Sequence, residues 1–255
     1  MLDIQQIPVL NDNYIYLIHD TESGDTAAVD PAVAEPVLSV LKQNDWQLKY
    51  IYNTHHHADH VGGNLSLKDH TTCKIAGCAA DQKRIPGIDI KLSEGDTLKL
   101  GSHTIKVLSC AGHTTGHIAF YIADSDALFC GDTLFSMGCG RLFEGTAEQM
   151  QQSLRKFTAL PLSTKIYCAH EYTAANAQFA HSVEPENQDV LKAIKCIKQL
   201  RSNNQATVPT TLEQELATNP FLRTDSSDIK KTLDMKNASE LAIFTELRAR
   251  KNRFF

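Results

Sequence analysis

Short apolar runs alternate with polar turns through the first two thirds of the chain. Residues 4–10 (IQQIPVL), 14–19 (YIYLIH), 26–30 (TAAVD), 49–54 (KYIYNT), 74–77 (KIAG), 104–110 (TIKVLSC), 118–123 (IAFYIA), 127–131 (ALFCG) and 165–170 (KIYCAH) are rich in Ile, Val and Tyr. Their length and composition predict strands. Between them, residues 36–43 (PVLSVLKQ), 61–70 (VGGNLSLKDH), 79–85 (AADQKRI) and 147–157 (AEQMQQSLRKF) predict helices. Thr146 fits an N-cap with Gln149 three residues on, the spacing of a capping box. The pattern changes after Tyr172. Residues 186–203 place Val190, Ile194, Ile197 and Leu200 on one helical stripe, and residues 239–251 do the same with Leu241, Phe244 and Leu247. The chain therefore divides into a mixed α/β domain, residues 1–172, and a smaller helical domain, residues 173–255.

Composition narrows the function classes. A formal net charge of -5 argues against a general nucleic-acid binder, which needs a basic face to neutralise phosphates, and leaves room only for a local basic patch. No run approaches the ~20 apolar residues of a membrane helix, and no basic-then-apolar leader opens the chain. Seven cysteines, an odd number with no CxxC pair, argue against a disulfide framework or a thiolate zinc site. Cys110, Cys130 and Cys168 read as buried thiols. A monomer in a reducing compartment, the cytoplasm, is the expectation.

The chemistry is concentrated in residues 53–63, NTHHHADHVGG. A surface histidine tract is the plain alternative, but this cluster is internal, broken by Asp59, and follows an apolar run. Three further histidines and aspartates also come just after strand-like runs: His113, Asp132 and His170. Ligand sites collect at the carboxyl ends of strands in α/β sheets. His55, His57, Asp59, His60, His113, Asp132 and His170 are too many donors for one zinc ion. They suit two ions sharing one carboxylate, which can acidify a water for hydrolysis. Asp132 is assigned the bridging role rather than a helix cap, with Gly131 clearing space for a cofactor. Alternation after the strand points His56 away from His55 and His57, so His56 is left out. His117 is read as a supporting residue, and His19, His70, His103 and His181 as solvent-exposed.

These residues resemble the metallo-β-lactamase superfamily, whose HxHxDH signature stands here as residues 55–60, followed by His113, Asp132 and His170. A narrower resemblance, to the glyoxalase II (hydroxyacylglutathione hydrolase) family, runs through NDNYIYLI, THHHADHVGGN, GHTTGHI, FCGDTLF, GCGRLFEGT, CAHEYT, NPFLR and RARKNRF. It implies an α/β fold, an αββα sandwich with a smaller C-terminal helical domain that binds glutathione. It also implies two divalent metal ions, zinc first, with iron or manganese as alternatives. The implied activity is hydrolysis of S-(2-hydroxyacyl)glutathione thioesters such as S-D-lactoylglutathione. Asp59 and Asp132 would be catalytic; Arg141, Phe143, Tyr172, Arg248 and Lys251 would bind substrate. Arg141 stands for the family's Lys, Phe143 for a Tyr, and Asn252 for an Asp. Arg248 and Lys251, at i and i+3, share a helix face and offer a guanidinium fork and a point charge to carboxylates. A lactonase and a glutathione persulfide dioxygenase are the alternatives that share the metal motif.

Overall fold

The computed structural model describes residues 1–254. Contacts divide it into two compact units: Met1–Ser109 with Gly116–Gly131, and Cys110–Thr115 with Asp132–Phe255.

The first unit contains two sheets. One has the order β1 (Leu2–Val9), β2 (Asn13–Asp20), β3 (Asp25–Val29), β4 (Gln47–Tyr52), β5 (Lys74–Cys78) and β6 (Ile90–Leu92). β1, β2 and β3 pair antiparallel, and β3 to β6 pair parallel. Parallel pairing needs crossovers. α1 (Glu35–Asn44) joins β3 to β4, and α2 (Ala58–Val61) with α3 (Asn64–Thr71) joins β4 to β5. The other sheet runs β7 (Thr97–Leu100), β8 (His103–Ser109), β9 (Ile118–Ile122) and β10 (Ala127–Gly131), all antiparallel.

Period-2 alternation decides which side chain meets which layer. On β2, Ile15 and Leu17 join Val37, Leu41 and Leu67 in the helix-covered core. The intervening Tyr16 turns to the opposite face, where its ring lies 5.5 Å from that of Phe129 on β10. Tyr52 on β4 likewise lies 5.2 Å from Phe120 on β9. The two sheets therefore pack on aromatic side chains between their inner faces.

The second unit is mostly helical: α4 (Ala147–Thr158), α5 (Thr173–Val183), α6 (Gln188–Ser202), α7 (Leu212–Thr218), α8 (Ser227–Thr232) and α9 (Glu240–Arg253). A tight hairpin, β11 (Leu134–Phe135) and β12 (Gly138–Cys139), precedes them, and β13 (Lys165–Cys168) pairs with β14 (Thr210–Thr211). Thr146 and Gln149 form the expected capping box at α4. Met137, at the hairpin turn, packs with Ala177, Ala180, Val190, Ala193 and Ile197 of α5 and α6. No helix among the described residues is long and apolar enough to cross a membrane.

Two local expectations are corrected. Residues 79–85 form only a 3-10 turn, Ala79–Asp81. Seven residues ahead of Pro86 are too few to propagate a helix, and the Asp81 carboxylate is held instead by His56 and Arg84. His19 and His103 are buried, not solvent-exposed. His19 stacks on Trp46 at 4.1 Å and bonds to Thr26, and His103 bonds to Asp124. His70 is exposed and His181 half-buried.

Candidate metal centre and substrate loop

In the first unit, β4 ends at Tyr52 and the chain turns through residues 53–57 into α2. The Nε2 atom of His55 lies 3.0 Å from Nδ1 of His57, and Nε2 of His60 lies 3.5 Å from Oδ2 of Asp59. Asp59 and His60 sit in the first turn of α2. His56 points elsewhere and bonds through Nδ1 to Asp81 at 3.1 Å. His117 is buried, and its ring stacks on His55 at 4.6 Å.

The nitrogens and oxygens behind these donors are fixed. Asp30, 3% exposed, accepts the backbone N–H and hydroxyl of Thr54 at 2.7 and 2.6 Å and lies 3.0 Å from Nδ1 of His60. Thr54 Oγ1 in turn lies 3.1 Å from Nδ1 of His55. Asn13 donates to Asp59 Oδ2 at 3.0 Å. Such outer partners set the tautomer and ring orientation of a ligating histidine. Sequence reasoning missed Asp30, although it closes the strand run TAAVD and obeys the same strand-end rule that flagged the others. Gly131, at φ +49°, makes room for protein and not for a cofactor: a Cβ there would lie 2.2 Å from Thr54 Oγ1 and 2.9 Å from the His117 ring.

In the second unit, Asp132 stands between two histidines. Its Oδ2 lies 3.4 Å from His113 Nε2 and its Oδ1 lies 3.3 Å from His170 Nε2. All three residues are buried. The element that follows Asp132 is the strand β11, so it caps no helix. His113 Nδ1 lies 2.8 Å from the Arg141 carbonyl oxygen. The His170 ring stacks on Tyr172 at 4.7 Å and 2°.

The donor spacing fits metal. Bonds of about 2.0–2.1 Å at a tetrahedral centre put two donors roughly 3.3–3.4 Å apart. The His–His, His–Asp59 and two His–Asp132 separations, 3.0, 3.5, 3.4 and 3.3 Å, cluster around that value. Imidazole and carboxylate donors suit zinc, iron or manganese.

The proposed substrate residues also lie in the second unit. Phe143 is 63% exposed, its ring 5.1 Å from His113, and Tyr172 is 38% exposed. Arg141 is exposed. Arg248 is 4% exposed, and Nη1 donates to the Cys139 carbonyl at 2.8 Å. Lys251 Nζ donates to the Ala175 carbonyl at 3.1 Å. Burial, with Arg248 and Arg141 nearby, lowers Lys251 to about 8. Among the described residues no carboxylate forms an ion pair with Arg141, Arg248 or Lys251.

Residues 10–170 match the metallo-β-lactamase superfamily, and residues 171–254 match the hydroxyacylglutathione hydrolase C-terminus. The hydroxyacylglutathione hydrolase of Methylococcus capsulatus is 54% identical over 254 residues, covering 100% of this chain and 99% of the relative. That of Hyphomonas neptunium is 48% identical, with the same coverage. Among solved structures, ETHE1 of Myxococcus xanthus superposes with a TM-score of 0.68 at 22% identity, covering 99% of this chain and 100% of that one. This chain belongs to the hydroxyacylglutathione hydrolase (glyoxalase II) family of the metallo-β-lactamase superfamily.

The fold is accordingly the α/β, αββα sandwich of that superfamily with a C-terminal helical domain. A glyoxalase II carries a dinuclear metal centre, typically zinc, and the donor groups described above fit one. Against the usual glyoxalase II pattern, Arg141 keeps the charge of a lysine, and Phe143 lacks a tyrosine hydroxyl. Asn252 receives the Nε–H of Arg248 at 3.0 Å where an aspartate would add a charge.

Proposed function

We propose that this chain hydrolyses S-(2-hydroxyacyl)glutathione thioesters, S-D-lactoylglutathione first, to glutathione and a 2-hydroxy acid, the second step of methylglyoxal detoxification. The full-length likeness to hydroxyacylglutathione hydrolases carries this reading. The complete donor set, His55, His57, Asp59, His60, His113, Asp132 and His170, supports it. In this proposal His55, His57 and His113 would hold one ion, Asp59, His60 and His170 would hold the other, and Asp132 would be the shared carboxylate. Residues 1–172 form the catalytic domain and residues 173–255 the glutathione-binding domain. Free thiols at all seven cysteines and few exposed large apolar side chains support a cytoplasmic monomer.

When bound, the ion pair acidifies a water and polarises the thioester carbonyl. Asp59, fixed by Asn13, would orient the attacking water. Asp132 is held in register by its neighbours His113 and His170. Phe143 and Tyr172 offer apolar faces beside His113 and His170. Glutathione bears two carboxylates, and the unpaired cations Arg141 and Lys251 receive them, with Arg248 adding its charge from beneath the loop. The leaving group is a thiolate. A thiol pKa near ~8.5 lets it depart without a general acid.

The test is an assay of S-D-lactoylglutathione beside a lactone, a β-lactam and glutathione persulfide, with metal analysis of the same sample. Thioester turnover with two ions per chain is expected. Two bound ions with turnover of only the lactone or the persulfide would overturn the proposal.

A further inference from the structure

Glu215 is completely buried, and burial pushes its carboxyl up to about 7. No cation pairs with it among the described residues. A buried carboxyl group without one is costly unless hydrogen bonds hold it. The contacts of its Oε2 oxygen show what it holds. Oε2 accepts the Met137 backbone N–H at 2.8 Å and the Asn219 amide at 2.8 Å.

Met137 occupies the turn of the β11–β12 hairpin with φ +58°, a left-handed conformation that disfavours a side-chain-bearing residue. Backbone groups along the hairpin are taken by buried side chains of later elements. Asn219 donates toward the carbonyls of Phe135 and Gly138 at 3.2 and 2.9 Å. Asn176 donates to Ser136 at 3.0 Å, and Arg248 to Cys139 at 2.8 Å. The hairpin begins two residues after Asp132 and ends two residues before Arg141. At its open end the Gly140 N–H donates to the Thr133 carbonyl at 3.2 Å.

We propose that Glu215, acting with Asn219, is a positioning residue: by holding the hairpin turn it fixes Asp132 at one strand end and the Arg141 carbonyl that orients His113 at the other. The proposal rests on the reading of Asp132 and His113 as metal ligands. Supporting groups of this kind change metal affinity by about 10–100-fold.

The experiment follows metal release. Zinc-loaded wild type, Glu215→Ala and Glu215→Gln are titrated with a chelator, and retained zinc is measured directly beside the melting temperature, kcat and KM. Glu215→Ala is expected to release zinc at about tenfold lower chelator concentration and to lose kcat. Glu215→Gln keeps an acceptor for the Met137 N–H and is expected to recover most of both. If Glu215→Ala does not fold, Glu215→Gln and Asn219→Ser carry the same comparison, each expected to shift zinc release by a smaller factor in the same direction. A lower melting temperature with unchanged zinc release and unchanged kcat would reduce Glu215 to a packing role and overturn the proposal. A wild type that binds no zinc would overturn the ligand reading itself. Bound zinc without thioester turnover would overturn only the proposed function.

Discussion

His113 and Arg141 are joined through the backbone: Nδ1 of the histidine lies 2.8 Å from the carbonyl oxygen of the arginine. The Phe143 and Glu144 N–H groups also donate to the His113 carbonyl, at 3.2 and 3.3 Å. The Glu144 carboxylate closes the same loop by accepting from Thr115 N and Oγ1. A proposed metal donor and a proposed substrate cation thus share one rigid segment. Displacing the segment displaces both.

Gly140 tests that coupling. A Cβ at this position would lie 2.0 Å from the Asp132 carbonyl oxygen and 3.1 Å from His113 Nδ1. Backbone cannot yield 1 Å there without moving Asp132. Gly140→Ala is expected to lower kcat by about 100-fold, the scale of a 1 Å misplacement, and to reduce bound metal. Near-normal turnover with full metal content would show that the segment is not rigid.

Asp132 is predicted to be the least replaceable donor, because each of its oxygens faces a different histidine at 3.3–3.4 Å. Asp132→Ala removes both contacts and leaves His113 and His170 without the carboxylate between them. Turnover is expected to fall by about a thousandfold or more, beyond the effect of losing a supporting group, and metal analysis should find fewer than two ions per chain. Two retained ions with ordinary turnover would remove the bridging assignment.

Much of this was legible in the sequence, and the reason is local. The strands of residues 14–19, 118–123 and 127–131 announce themselves because burial on both faces leaves unbroken apolar runs. The donors that follow such runs were found by position. β6, β7, β11, β12 and β14 were not anticipated: they have two to four residues each, too few for a period to register. His19 was misread because its partner, Trp46, is 27 positions away. Arg248 was read by charge as a substrate receptor; only the structure places it buried under Cys139, since burial of a cation by backbone carbonyls leaves no trace in periodicity.

Asp30 should behave as a supporting carboxylate. It contacts Thr54 twice and His60 once, so Asp30→Asn leaves shape intact while weakening the acceptor behind His60. A fall of about 10–100-fold in metal affinity is expected, read as chelator-dependent metal loss. An unchanged release curve would limit Asp30 to packing.

With Lys251 in its proposed role as a receptor for a glutathione carboxylate, substrate affinity is expected to depend on pH. Its ammonium is lowered from 10.5 to about 8 by burial and by Arg248 and Arg141. In that role the protonated form would attract the carboxylate and the neutral form would not. Affinity should therefore be full well below pH 8 and decline as pH rises through and above it. Because the contact is remote from the reacting carbonyl, KM should rise while kcat holds. Lys251→Arg keeps its charge over this range and should flatten the rise. A KM that is level from pH 7 to 9.5 in the wild type would end this account.

Arg248 and Lys251 should separate kinetically, although they are neighbours on α9. Lys251 donates to one carbonyl from the edge of the fold, and Lys251→Ala is expected to act on KM alone. Arg248 is buried, donates to Cys139 and Asn252, and lies 5.2 Å from the Phe221 ring. Arg248→Ala leaves the Cys139 carbonyl unsatisfied and a void beside Phe221. A charged hydrogen bond is worth about 1.5–3 kcal/mol, so a lower melting temperature should accompany the kinetic change. The segment that Arg248 holds leads directly to Arg141, whose carbonyl orients His113, so kcat should fall as KM rises. Arg248→Lys restores the charge but not the guanidinium geometry, and should recover KM better than kcat. A rise in KM with unaltered kcat and unaltered melting temperature would instead make Arg248 a carboxylate receptor and nothing more.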